Sequence, residues 1–340
     1  MKRSKWMSPV MVLSILALTL AVSAPAQAAD PVKLNYSSFF PAPAQQTVII
    51  QEWAAEVEKR TNGAVKITVF PGGTLTPADK CYDGVVKGLS DLGQSCPAYT
   101  RGRFPLTEVT DLPLGMKSGV EATKLINIYL KKFQPKEFDD VKIMYFHGHG
   151  PGILHTGKPV SNLAELKGMK IRCTGLATKI VSALGATPVS MPMGETYDAI
   201  SKGVVDGSVA PFEALKTWKW GEVVKSTTLD YGASYSTAFF VVMNKDKWNS
   251  LPKDVQATIE KVNEEWIEKT GKMWDEIDKG GREFAEKLGS KVISLSKEED
   301  AKWAQLVRPI LDEYVKNMKE KNLPGEEALK FYLDEVGKAK

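Results

Sequence analysis

The sequence predicts a two-domain α/β clamshell with a hinge and one long helix spanning both halves. Three observations predict it. Short apolar strand-like runs alternate with amphipathic helical runs, the pattern of a mainly parallel sheet flanked by helices. The chain passes between the halves twice: once through the Gly-rich His147-Gly148-His149-Gly150-Pro151-Gly152, and again before the apolar run Tyr235 to Met243. Finally, Pro252 to Leu288 reads as helix with hardly a break, and at about 1.5 Å per residue such a run reaches across two domains.

The elements follow in order. Val32 to Tyr36 alternates as a first strand, Ser37 to Pro41 forms a loop, and Ala44 to Thr61 is an amphipathic helix stopped by Asn62-Gly63. Val65 to Phe70 is a strand closed by Pro71-Gly72-Gly73. A helix over Thr76 to Lys87 precedes the strand that begins at Leu92-Gly93-Gln94. The helix Val120 to Phe133 and the strand Val141 to His147 lead to the first crossing. The second domain opens with Ile153 to Thr156, and Tyr235 to Met243 returns to the first domain's sheet. Val255, Ile259, Val262, Trp266 and Ile267 form the apolar stripe of the long helix. Ser296 with Glu299 makes a capping box for a helix Lys297 to Lys319. Residues 29–149 with 236–275 are assigned to the first domain, and residues 150–235 with 276–340 to the second.

The N-terminus sets the compartment. Lys2, Arg3 and Lys5 precede the apolar run Met7 to Val22, and Ala26-Gln27-Ala28 offers a small-x-small cleavage site. Residues 1–28 therefore read as a secretory signal cleaved near Ala28, and no later run is long enough to span a bilayer. Removing those three basic residues takes 45 to 42 against 41 acidic, so the exported chain is nearly neutral and no nucleic-acid partner is implied. The remaining chain, roughly 310 residues, exceeds a usual single core, which supports two domains. A monomer is expected. Cys81, Cys96 and Cys173 form no metal pattern. An oxidising compartment would allow a Cys81–Cys96 disulfide, and burial as three free thiols fits equally.

The stretch Lys167 to Pro211 carries the candidate chemistry. Arg172 ends a strand-like run, Met169 to Cys173, within a strand–helix–strand–helix–strand unit that closes at Val204-Val205-Asp206-Gly207. Open α/β sheets bind ligands at the C-terminal ends of their strands. Two roles fit an arginine there: an interdomain salt bridge, or a receptor whose planar fork matches a carboxylate. Loops expected at the cleft carry Phe39, Phe40, Tyr99, Phe212, Trp218, Trp220, Met191 and Met193, and each aromatic also reads as helix packing. Thr174 and Ala210 sit at strand ends beside Arg172. Glu213 or Ser38 is placed to receive an amino or ring N–H donor. His147, His149 and His155 cluster: zinc, a ligand hydrogen bond from His149, and a structural role are all open, and no metal site is assigned. No nucleophile–base pair or poised carboxylate pair appears, so no enzyme activity and no cofactor are expected.

The ordered set KGMKIR, LGATPV, MPMGETYDAISKGVVDG and VVMNKDKWNSLP resembles the extracytoplasmic solute receptors of TRAP transporters, DctP type. The resemblance runs from about Val32 into the C-terminal helices. It implies a periplasmic-binding-protein-like fold that closes on a small organic acid and delivers it to membrane permease subunits. It also implies that Arg172 stands where the family's arginine salt-bridges the ligand carboxylate. The sequence departs from relatives that read DGQENP: here Asp206-Gly207-Ser208-Val209-Ala210-Pro211 puts Ala210 at the asparagine. Where some relatives carry a second arginine, about twenty residues earlier, this chain has Gly152. These departures imply an aromatic monocarboxylate, of indole or phenyl type, held by Arg172. A C4-dicarboxylate or sugar acid is the alternative, favoured if Arg101 or Arg103 reaches the cleft. A secreted metal-dependent enzyme is the distant alternative.

Overall fold

A computed structural model describes residues 30–338, and the expected signal segment 1–28 lies outside the described residues. The strands of the first sheet are β1 (Val32–Ser38), β2 (Val65–Phe70), β3 (Leu92–Ser95) and β4 (Val141–Gly148). Those of the second are β5 (Ile153–Thr156), β6 (Lys170–Cys173), β7 (Thr187–Ser190), β8 (Gly207–Ala210), β9 (Ser226–Leu229) and the late β11 (Lys291–Ser294). Between β9 and β11 the chain returns to the first sheet as β10 (Ala238–Asn244).

The first sheet has the order β2-β1-β3-β10-β4, with β10 antiparallel to both neighbours. The second has the order β11-β9-β5-β8-β6-β7, in which β5 runs antiparallel to β8 and β9. Each sheet thus has parallel wings around one reversed strand, because the chain enters each half from the other. β3, β8 and β10 are buried almost throughout, and β10 reads as an apolar run, as expected for sheets covered on both faces, whereas β1 alternates over Val32 to Tyr36. The two crossings touch: Gly152 donates its N–H to the Tyr235 carbonyl at 2.7 Å, forming an isolated antiparallel bridge.

The long helix, Lys253–Lys287, is the third connection. Its first half is pinned to the helix Gln45–Arg60: the Trp53 indole donates to Asn263 Oδ1 and the Trp266 indole to the Ile49 carbonyl, both at 2.9 Å. Its second half carries Gly281 against the Phe212 carbonyl, an approach that a Cβ would block. Asp278 there accepts the Glu213 N–H at 2.9 Å. One rod therefore holds both halves. No described helix is long and apolar enough to cross a membrane.

Two local expectations change. Thr76 to Lys87 is a 3-10 turn, Ala78–Lys80, followed by the short helix Cys81–Val86. The helix expected over Lys297 to Lys319 divides into Lys297–Val307 and Pro309–Glu320, because Pro309 has no N–H to continue the ladder. The C-terminal helix Gly325–Lys338 lays Phe331 and Tyr332 against Tyr129 of the helix Gly119–Phe133. Cys81, Cys96 and Cys173 are free and buried, so the Cys81–Cys96 disulfide does not form.

Candidate ligand cleft

Arg172 lies one residue from the C-terminal end of β6, between β7 and β8. Its side chain is drawn inward and only 2% of the residue is exposed. Nε donates to the Met191 carbonyl at 2.9 Å, and the guanidinium carbon stands 5.8 Å from the centre of the Trp220 ring. Among the described residues no carboxylate lies within ion-pair distance of it. The salt-bridge role left open by the sequence is thereby removed. A buried charge without an opposite charge is costly unless a ligand supplies one.

Around Arg172 the two halves close an aromatic cavity. Its walls include Phe39, Phe40, Tyr99, Met193, Tyr235, Phe239 and Trp274, with Cys96, Thr174, Thr237, Ala210, Pro211, His149 and Glu213 between them. Phe39 stacks on Phe40 at 4.2 Å and meets Tyr99 edge-on at 5.4 Å; Phe239 stacks on Trp274 at 5.2 Å. Such contacts define a ring-shaped apolar site. The free space is about 30 Å³, well below the ~150 Å³ that holds a benzene ring, so the walls are in contact and a ring enters only as they part. A larger cavity of about 610 Å³ lies elsewhere, lined by Phe212, Tyr231, Asp278 and Arg282 among others. It lacks Arg172, whereas the smaller cavity is faced by that unpaired buried cation.

Tyr99 does more than form a wall. Its hydroxyl oxygen accepts the Met193 N–H at 3.3 Å and stands beside the Arg172 guanidinium. Burial pushes its pKa up, with the nearby arginine opposing more weakly, so the phenol keeps its proton. With the oxygen occupied, that O–H is available as a donor next to Arg172.

The histidines are structural. His149 spends both ring nitrogens on the crossings: Nδ1 donates to the Gly150 carbonyl at 2.5 Å and Nε2 accepts the Thr237 N–H at 3.1 Å. Burial lowers its pKa to about 4, and the ring offers the cavity a face rather than a donor, contrary to the hydrogen bond considered from sequence. His147 Nδ1 accepts the Trp274 indole N–H at 2.8 Å, and its Nε2 lies 2.6 Å from the Gln94 side-chain amide. His155 bridges Thr227 and the Ala210 carbonyl. No group of metal-ligating side chains converges among the described residues.

Of the eleven residues singled out from sequence, Arg172, Phe39, Phe40, Tyr99, His149, Thr174, Met193, Ala210 and Glu213 meet at this cavity. Ser38 does not line it; its buried hydroxyl accepts the Phe40 N–H at 3.3 Å. Phe212 lines the larger cavity, 5.6 Å from the Arg282 guanidinium. Trp220 is fully buried behind Arg172 and Trp218 stacks behind Phe39 at 6.2 Å. Cys96, Pro211, Tyr235, Thr237, Phe239 and Trp274 were missed. Tyr235 and Thr237 belong to the second crossing, whose pairing with the first was the available signal. Trp274 sits mid-helix among many apolar residues and gives none. The second-arginine position is closed sterically, since a Cβ on Gly152 would run into the Tyr235 ring. Arg101 lines a separate surface groove and Arg103 pairs with Asp83 at 2.6 Å, so neither brings a second cation.

The comparisons with known proteins match this geometry. The model of the DctP family, bacterial extracellular solute-binding protein family 7, matches residues 38–317. The chain belongs to that family. A TRAP periplasmic solute-binding protein from Desulfovibrio salexigens, solved as an open complex, is 35% identical; the match covers 90% of this chain and 96% of that one, with a TM-score of 0.79. A marine metagenome TRAP solute-binding protein specific for aromatic acid ligands, solved with metahydroxyphenylacetate, is 30% identical over 90% of this chain and 99% of its own, with a TM-score of 0.86. The C4-dicarboxylate-binding periplasmic protein DctP of Rhodobacter capsulatus is 28% identical over 87% of this chain and 90% of its own. This DctP-type chain is thus a TRAP extracytoplasmic solute receptor with the two-lobed clamshell its family shares.

Proposed function

We propose that this DctP-family receptor captures an aromatic monocarboxylate in the periplasm and delivers it to TRAP permease subunits. The observation that carries the reading is Arg172, a buried cation at a strand end with an aromatic cavity before it and no carboxylate beside it. The ligand carboxylate pairs with the guanidinium and takes a further hydrogen bond from the Tyr99 O–H. Phe39, Phe40, Phe239 and Trp274 enclose the ring. Closure removes water from the ion pair and strengthens it, so ligand binding favours the closed form. The aromatic-acid specificity of the metagenome relative supports the same class.

A thermal-shift and calorimetric panel of phenylacetate, indole-3-acetate, benzoate, succinate and a sugar acid tests the reading. Stabilisation by the aryl acids is expected. Stabilisation by succinate or the sugar acid alone would overturn it in favour of the dicarboxylate or sugar-acid class.

A further inference from the structure

Glu213 is the one carboxyl that lines the cavity among its described walls, and only 2% of the residue is exposed. Its place is set from three directions. The backbone N–H is held by Asp278 Oδ1 of the long helix at 2.9 Å. Oε2 accepts from Gln46 Nε2 at 3.1 Å, and Gln46 belongs to the first turn of Gln45–Arg60 on the opposite lobe. The Thr217 hydroxyl also supports the carboxyl. Among the described residues no lysine or arginine pairs with Glu213. A carboxylate has about four acceptor positions, and Gln46 and Thr217 account for two.

The cavity therefore has two polar poles of unlike character. Arg172 with the Tyr99 hydroxyl donates only, and Glu213 accepts. A carboxylate is drawn to the first and repelled by the second, so a bound aryl acid has one orientation. We propose that Glu213 reads a hydrogen-bond donor on the ligand ring, a phenolic O–H or a ring N–H, and so selects hydroxyaryl or indole-type acids over unsubstituted or capped rings. This inference rests on the aromatic-acid reading and narrows it. The selectivity has a physical cause: a ring without a donor, or with a methyl cap, displaces water from a buried acceptor and leaves it unpaired. Binding the donor also completes a chain from ligand through Glu213 to Gln46, which joins ligand recognition to lobe contact. Burial raises the Glu213 pKa to about 7, consistent with a carboxyl that lacks a counter-charge.

Calorimetric titration of the whole receptor with matched pairs tests the proposal. The pairs are 3- and 4-hydroxyphenylacetate against phenylacetate and the methoxy ethers, and indole-3-acetate against its N-methyl derivative. Wild type is expected to favour the donor-bearing member of at least one pair by about 100-fold, and the responding pair identifies phenol or ring N–H as the source. Glu213→Leu should reduce that ratio to within about threefold while phenylacetate binds as well or better. Glu213→Gln, which keeps an acceptor oxygen, should retain most of the preference. Should the leucine variant fail to fold, the wild-type ratios decide alone. Equal wild-type affinities within every pair, or an undiminished preference in Glu213→Leu, would overturn the proposal while leaving the aromatic-acid reading intact. Absence of binding by every aryl acid would overturn both.

Discussion

The outer face of the molecule and the cleft use the same guanidinium in opposite ways. Arg60 is partly exposed and grips Glu265 of the long helix through both terminal nitrogens, at 2.6 and 2.7 Å, with Glu56 at 2.7 Å on Nε. Arg172 is buried and touches a backbone carbonyl, an indole face and a tyrosine hydroxyl, but no carboxylate. Exposed pairs contribute little to stability because water and salt already screen both charges. A buried charge left unpaired costs far more. Arg60, with the most ion pairs, is therefore a structural arginine, and Arg172 differs in being buried with none.

The largest effect expected from this contrast is on Arg172. Arg172→Met should weaken aryl-acid binding by roughly 100-fold or more in calorimetry, since it removes one partner of a buried charge pair. The melting temperature of the ligand-free protein should stay level or rise, because an apolar side chain replaces an uncompensated charge. Tyr99→Phe keeps the ring and removes one donor beside Arg172, so a loss of roughly tenfold in affinity is expected, with carboxylate selectivity retained. Arg60→Met, the surface counterpart, should leave the dissociation constant unchanged.

The two regions also separate by pH. Burial raises Asp111 and Asp278 to about 8 and Glu213 and Asp230 to about 7. Burial lowers His147 to about 3 and His149 and His155 to about 4. Between pH 6.5 and 8 the native carboxyls still hold protons that the unfolded chain has lost, and the histidines, neutral in the native state, lose their remaining protons in the unfolded chain across the lower part of this window. Stability is therefore expected to fall as pH rises through that window. Between pH 4.5 and 6.5 the unfolded histidines take up protons that the native ones refuse, which opposes the carboxyl trend and flattens the profile. Surface carboxylates held low by partners, such as Glu56 and Glu265, act only below about pH 4.5. Melting temperatures across pH 4.5 to 8.5 check this: a rise from 6.5 to 8 would contradict the buried-carboxyl account.

Much of the fold was legible because burial is periodic. The strands at Val65–Phe70 and Ile153–Thr156 and the long helix were read within a residue or two, since apolar spacing and Gly-Pro stops mark them. The return of β10 to the first sheet was legible for the same reason. The break at Pro309 was missed because a capping box and continuous amphipathicity outweighed a single residue. At the cavity, Arg172 was legible at a predicted strand end, the Phe39-Phe40 pair in a loop expected at the cleft, and Glu213 as a candidate acceptor. Phe239 and Trp274 were not, because a residue lining a cleft and one filling a core have the same sequence pattern until the lobes are brought together. The role of His149 stayed open in the sequence because only three dimensions show its nitrogens spent on Gly150 and Thr237.

The central claim is that Arg172 holds a ligand carboxylate by charge. Replacing that carboxylate with the primary amide preserves shape and removes the charge, so phenylacetate and phenylacetamide titrated into wild type and Arg172→Met test it most directly. The account predicts that wild type prefers the acid by roughly 100-fold or more and that Arg172→Met shows no preference. Equal binding of acid and amide by wild type, or an unchanged preference in Arg172→Met, would contradict it.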